Sequence, residues 1–182
     1  MQPVQDKDLL TLLRNENSRS QGFNMLVVKY QEKVYRMTRR IVISHEDTDD
    51  VVQNVFIKIW HHIEDFREDS KLSTWIYRIA VNESLALLKS RKLLNFIPFF
   101  SVEKKLSESL TDDNYFRADE ISLKLQQSIL SLPTRQRMVF NMRYYDGLSF
   151  EEISSILNTS KSALKTSYHF AVQKIKKKLS ED

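Results

Sequence analysis

The stretch Gly147-Leu-Ser-Phe-Glu-Glu-Ile-Ser-Ser-Ile-Leu157, continued by Asn158-Thr-Ser160 and Lys161-Ser-Ala-Leu-Lys-Thr-Ser-Tyr-His-Phe-Ala171, decides the fold of the C-terminal part of the chain. Gly147 suits a helix end. Ser149 and Glu152 stand at capping-box spacing, with Phe150, Ile153, Ile156 and Leu157 as an apolar stripe behind them. Asn158-Thr159 predicts a break after about two turns, and Ser160 a cap for a second helix. On that helix Leu164, Tyr168, Ala171, Ile175 and Leu179 fall on one side at about 100° per residue. Ser162, Lys165, His169 and Gln173 lie opposite, with Thr166 at the edge. Such a short, polar, cationic face suits phosphates and base edges in a major groove. A capped short helix, a tight turn and a second helix of this kind predict a helix-turn-helix. A plain helical hairpin with a solvated face has the same periodicity, so this local pattern alone leaves both open. Lys174, Lys176, Lys177 and Lys178 suit either phosphate contacts or the negative end of the helix dipole.

The rest of the 182 residues also predicts helices: only two glycines and three prolines are present, too few turn formers for a β-rich chain. Phe23, Leu26, Val27, Tyr30, Val34 and Met37 recur at intervals of three and four, one face of a helix. Helices are predicted again over 50–63 and 74–92, with Ser73 as the cap of the second and the polar stretch 65–73 as an exposed loop. Residues 93–120 keep no period. They hold an apolar cluster (Leu93, Leu94, Phe96, Ile97, Phe99, Phe100), Pro98 and a polar run, and read as a linker. The fold class predicted is all-α, two small helical domains joined by a linker, 1–92 and 121–182, the second ending in the helix-turn-helix.

Charge follows the same division. The net charge is +4, but residues 121–182 carry ten Lys/Arg against five Asp/Glu, while 93–120 carry three against six. A basic module behind an acidic linker points to a nucleic-acid partner or to a solvated helical surface. The absence of cysteine excludes disulfides, thiol catalysis and cysteine-zinc sites. Residues 1–13 lack the basic start and apolar core of a signal peptide, and no run reaches the roughly 18 apolar residues of a membrane span. A cytoplasmic location is expected. There is no Walker loop and no metal-ligand spacing, and the adjacent His61 and His62 point to different sides of a helix. No enzymatic activity, cofactor, metal or small-molecule substrate is expected.

Two further faces stand out. On 50–63, Val51, Val52, Val55, Phe56, Ile59 and Ile63 form the inward stripe, and Asp50, Gln53 and Ile57 lie opposite. Ile57 there suggests a partner surface, or is an ordinary exposed isoleucine. On 74–92, Trp75, Ile76, Ile79, Ala80 and Ala86 are expected inward, and Thr74, Arg78, Asn82, Leu85 and Lys89 outward, followed by Arg91 and Lys92. Asn and Arg beside a cationic end suit DNA.

Together these residues resemble an extracytoplasmic-function sigma factor. Asp47-x-x-Asp50-x-x-Gln53-x-x-Phe56-x-x-x-Trp60 resembles the segment by which the family grips core RNA polymerase, and Ile57 joins it by position. Ser73-Thr-Trp-Ile-Tyr-Arg-Ile-Ala-Val-Asn82 resembles the segment that melts and reads the −10 element. Leu132-Pro133, Arg137, Phe140, Tyr144 and the 147–153 stretch resemble the start of the second domain, and Ser162-Ala-Leu-Lys165 with His169 and Ala171 its −35 reader.

The resemblance implies that Asp47, Asp50, Gln53, Phe56, Ile57 and Trp60 meet the β′ clamp helices, and that the second domain sits on the β flap. It implies −10 contacts from Arg67, Ser70, Lys71, Ser73, Thr74, Arg78, Asn82 and Lys89, with the loop 67–73 holding a flipped-out base. It implies −35 contacts from Ser160, Lys161, Ser162, Lys165, Thr166 and His169. An anti-sigma factor is a further implied partner, and the cluster 93–100 suits burial by it or against the first domain. Ser167 and Phe170 stand where many members carry arginine, which bears on the −35 sequence read. The alternative from another class is a free-standing helix-turn-helix regulator, which would need a dimer and palindromic half-sites.

Overall fold

The computed structural model describes residues 5–94 and 120–180, all helix and connection with no strand among them. Contacts divide the chain into two compact units, with the break at Leu87–Leu88. Most of the expected linker, 95–119, lies outside the described residues.

In the first unit, α1 (Asp6–Arg14) packs Leu9, Leu10 and Leu13 against α2 (Arg19–Val42). Gly22 lets the two backbones meet: a Cβ there would lie 2.8 Å from Leu12 Cβ and 3.0 Å from the Leu13 nitrogen. The crossing is tied by Asp6, whose carboxylate accepts from Lys29 Nζ at 2.8 Å and from the Tyr30 hydroxyl at 2.7 Å. At the end of α2, Ile43 takes φ 73°, a strained conformation for a β-branched residue, while its side chain is fully buried. The extended Ser44 then caps α3 (His45–His62), its Oγ accepting from the Asp47 N–H at 3.4 Å. Val51, Val55 and Ile59 of α3 and Ile63 of the following 3-10 turn (Ile63–Asp65) point into the core as expected.

Helix α4 (Leu72–Leu94), which begins in this unit and runs past the break, starts two residues before the expected position. Ser73 is therefore inside its first turn and is not the cap: the Trp75 N–H already bonds Lys71 O at 3.2 Å. Leu72, Ile76, Tyr77, Ala80, Val81 and Ser84 are buried, and Ser84 satisfies its hydroxyl on Ala80 O at 2.7 Å. Lys58 of α3 pairs with Glu83 of α4 at 2.5 Å.

The second unit holds α5 (Glu120–Leu130), α6 (Thr134–Tyr144), α7 (Phe150–Leu157) and α8 (Lys161–Ser180). Its core joins Ile129, Leu132, Phe140, Ala171 and Ile175, with Leu125, Tyr145, Tyr168 and Val172 packed around them. Pro133, extended, stops α5 and starts α6. After α6, Gly147 takes φ 64° and the Leu148 N–H bonds Met142 O at 3.0 Å. Both halves of the capping box between Ser149 and Glu152 are formed, and Asn158 ends α7 in the left-handed region. Leu164, Ala171 and Ile175 are buried as their spacing predicts, whereas Leu179, in the last turn of α8, is 40% exposed.

Candidate functional site

Three surfaces carry the residues singled out in the sequence. On α3, Asp50, Gln53 and Ile57 occupy three successive turns of one exposed face, with Ile57 47% exposed. Phe56 and Trp60 are half-buried beside it. The Phe23 ring meets both edge-on, at centroid distances of 6.5 and 5.0 Å, and the Arg19 guanidinium lies 4.7 Å from the Trp60 ring centre. These two aromatics support the face from behind. Asp47 differs: it is buried in the first turn of α3, so it belongs to the helix start and not to the open surface.

The second surface is the loop after the 3-10 turn together with the outer side of α4. Phe66 is buried, its ring 5.4 Å from that of Trp75, and so anchors the loop at its root. Trp75 is half-buried in this contact, as a residue on the apolar stripe should be. Arg67 and Lys71 are exposed, Ser70 and Ser73 half-buried. Along α4, Arg78, Asn82 and Lys89 are exposed. Thr74 is a correction: expected outward with them, it is 4% exposed. The helical wheel puts it one turn before Arg78, yet at the start of α4 its side chain is buried while that of Arg78 is exposed. Ala86, expected inward, is exposed.

Two arginines that the sequence did not single out shape this region. Arg14 Nη1 donates to Glu68 Oε1 at 2.6 Å and its Nη2 to Phe66 O at 2.9 Å. Arg19 Nη1 donates to Glu64 Oε1 at 2.5 Å and its Nη2 to Trp60 O at 2.7 Å, satisfying a carbonyl in the last turn of α3. Nothing in local spacing marks either residue, since their partners are distant along the chain.

The third surface is the outward side of α8. Ser160, Lys161, Ser162, Lys165, Thr166 and His169 are all exposed. Ser160 Oγ accepts from the Ala163 N–H at 3.4 Å, the predicted cap, and Thr166 Oγ1 donates to Ser162 O at 3.1 Å. Lys161 reaches back to Glu151 of α7 at 3.0 Å. That hydrogen bond, more than any other cause, holds the Glu151 carboxyl below its ordinary range, and Lys165 adds to it by charge. Lys161 thus pairs with α7 at the exposed surface, and Ser162, Lys165, Thr166 and His169 continue the open polar face. Phe170, one of the positions where arginine was expected, is 49% exposed next to it.

Among the described residues, no group of three or more His, Cys, Asp or Glu is placed to hold a metal ion, and no helix is long and apolar enough to cross a membrane.

Residues 26–93 match the Sigma-70 region 2 family model, and residues 122–175 the Sigma-70, region 4 model. The chain is 35% identical over 159 residues to the ECF RNA polymerase sigma-E factor of Escherichia coli strain K12, covering 83% of each. It is 30% identical over 162 residues to the RNA polymerase sigma-H factor of Pseudomonas aeruginosa, covering 85% of this chain and 84% of that one. Two solved structures share the fold. CnrH, in complex with the cytosolic domain of CnrY, has a TM-score of 0.68 at 23% identity over 97% of this chain and 98% of its own. The sigma factor RpoE of Bartonella quintana, in complex with the anti-sigma factor NepR, has a TM-score of 0.63 at 18% identity over 88% and 98%.

Proposed function

The chain belongs to the extracytoplasmic-function sigma factors of RNA polymerase, and from that premise we propose a division of labour among its surfaces. Residues 1–92 act as region 2, gripping core polymerase and reading the −10 element. Residues 93–120 are the linker between the modules, and residues 121–182 are region 4, which reads the −35 element. The observation that carries this reading is the pairing of an exposed apolar-polar face on α3 with a capped helix-turn-helix whose outward side is polar and cationic.

Asp50, Gln53 and Ile57 meet the β′ clamp helices, supported by Phe56 and Trp60. A half-exposed isoleucine between polar neighbours gains by desolvation against a partner while the polar groups fix its register. Arg67, Ser70, Lys71 and Ser73 of the loop, with Arg78, Asn82 and Lys89 of α4, serve the −10 element. Melting proceeds by capture of an unstacked base, so no nucleotide hydrolysis is called for. Ser162, Lys165, Thr166 and His169 face the −35 element, with Ser160 and Lys161 holding the start of the reading helix. Region 4 docks on the β flap.

The protein works as a dissociable specificity subunit and is not an enzyme; it uses no cofactor or small-molecule substrate and acts in the cytoplasm. Each module alone offers few DNA contacts and binds weakly. On core enzyme, engagement of one element makes binding of the other effectively intramolecular. An anti-sigma factor covers the polymerase-binding surfaces; support comes from RpoE, solved in complex with the anti-sigma factor NepR.

Run-off transcription with purified core polymerase on genomic promoter fragments tests the reading. Defined transcripts that depend on the added protein are expected. Failure to direct initiation on any fragment would overturn it.

A further inference from the structure

We infer that Arg14 is a positioning residue for the loop that reads the −10 element. This rests on the assignment of residues 67–73 as that loop. The loop leaves the 3-10 turn at Phe66, whose ring is buried against Trp75. Two residues on, Glu68 adopts φ 61°, a left-handed conformation that a side chain of its kind takes only at a cost. Arg14, the last residue of α1, spans this bend. One end of its planar guanidinium holds the Glu68 carboxylate at 2.6 Å, the other the Phe66 carbonyl at 2.9 Å. Arg67 lies between those two anchor points, and Ser70 and Lys71 follow directly.

Arg19 repeats the device one step earlier, joining Glu64 to the Trp60 carbonyl. The corner between α1 and α2 therefore grips the path from the end of α3 into the loop at four points. Discrimination between bases depends on contact groups that do not relax to suit the wrong base. A surface loop bent through a left-handed residue relaxes readily unless something fixes it. The Arg14–Glu68 pair is itself about half exposed, with side chains 43% and 50% accessible, so its contribution to overall stability is small. Its effect is felt where geometry matters, in the choice of base. A lysine at position 14 does not substitute, because a single ammonium lacks the fork that reaches carboxylate and carbonyl together.

The test uses core polymerase reconstituted with the full chain. Open-complex formation is measured on promoters carrying single-base changes through the −10 element, and the ratio of best to worst base is taken. Arg14→Ala is expected to lower that ratio about five-fold, the equivalent of one ordinary hydrogen bond, and Arg14→Lys nearly as much. Core affinity, thermal midpoint and discrimination at the −35 element should stay close to those of the parent. An unchanged −10 ratio in both variants, or an equal fall at the −35 element, would overturn the inference. Arg67→Ala and Lys71→Ala separate the two levels. If they too leave the ratio unchanged, the assignment of the loop fails, and the inference with it. If they lower it and the Arg14 variants do not, only the brace is overturned. Should Arg14→Ala not fold, Arg14→Lys decides alone.

Discussion

Ser149 and Glu152 bond each other twice: the Glu152 N–H donates to Ser149 Oγ at 3.2 Å, and the Ser149 N–H donates to Glu152 Oε2 at 2.8 Å. The helix they start, α7, has eight residues, too few to persist without tertiary support. Ser149→Ala should therefore destabilise this helix by about 1 kcal/mol. Hydrogen exchange is the check: amides of 150–157 should exchange faster, while those of α2 keep their protection. Equal protection in both would show that the cap contributes nothing there.

Gly22 is the point of contact between α1 and α2. A methyl group at this position meets the Leu12 side chain at 2.8 Å and the Leu13 backbone nitrogen at 3.0 Å, and backbone does not give way as a side-chain tip does. Gly22→Ala should lose about 1–3 kcal/mol by overpacking, despite the higher helix propensity of alanine. Urea unfolding followed at Trp60 and Trp75 reads this directly. A stabilised variant would mean that α1 shifts freely on α2.

Ile57 and Val55 stand two residues apart on α3, one 47% exposed and the other fully buried. Ile57→Glu should abolish core-polymerase binding and leave the helical content and melting temperature unchanged. Val55→Ala should do the reverse, losing about 2 kcal/mol of stability while the folded fraction still binds core. Normal core affinity in Ile57→Glu would remove this residue from the interface.

The Tyr30 hydroxyl is held well above the ordinary tyrosine range, first by burial and then by its hydrogen bond to Asp6. A pKa raised in the folded state contributes stability that is complete below the unfolded value, about pH 10, and is lost as pH climbs beyond it. Stability of the parent should therefore fall above about pH 10. Tyr30→Phe should be less stable near neutrality by about 1 kcal/mol and fall less steeply in that alkaline range. Urea midpoints collected across the range decide it; parallel curves would exclude Tyr30 as the group responsible.

What was legible in the sequence was what a single helix determines about itself. The spacing of Val51, Val55 and Ile59, or of Leu164, Ala171 and Ile175, names the inward side because periodicity is a local property. The capping box and the helix break at Asn158-Thr159 were legible for the same reason, as short-range chemistry. The reading went wrong where burial depends on a neighbour from elsewhere. Thr74 is buried although its wheel position faces outward, Ala86 and Leu179 are exposed although theirs face inward, and Ser44, not a residue nearer position 50, caps α3.

The all-helical class, the capped helix-turn-helix pattern and the family were thus legible in the sequence alone, through residue types at fixed short spacings. Only the tertiary structure decided what holds the loop at 67–73. Arg14 and Glu68 are 54 residues apart, Arg19 and Glu64 45, and no periodic pattern links them. Such pairs exist because two helices cross at Gly22 and bring distant segments within the reach of one side chain. That reach is a property of packing, and a linear code of local preferences does not contain it.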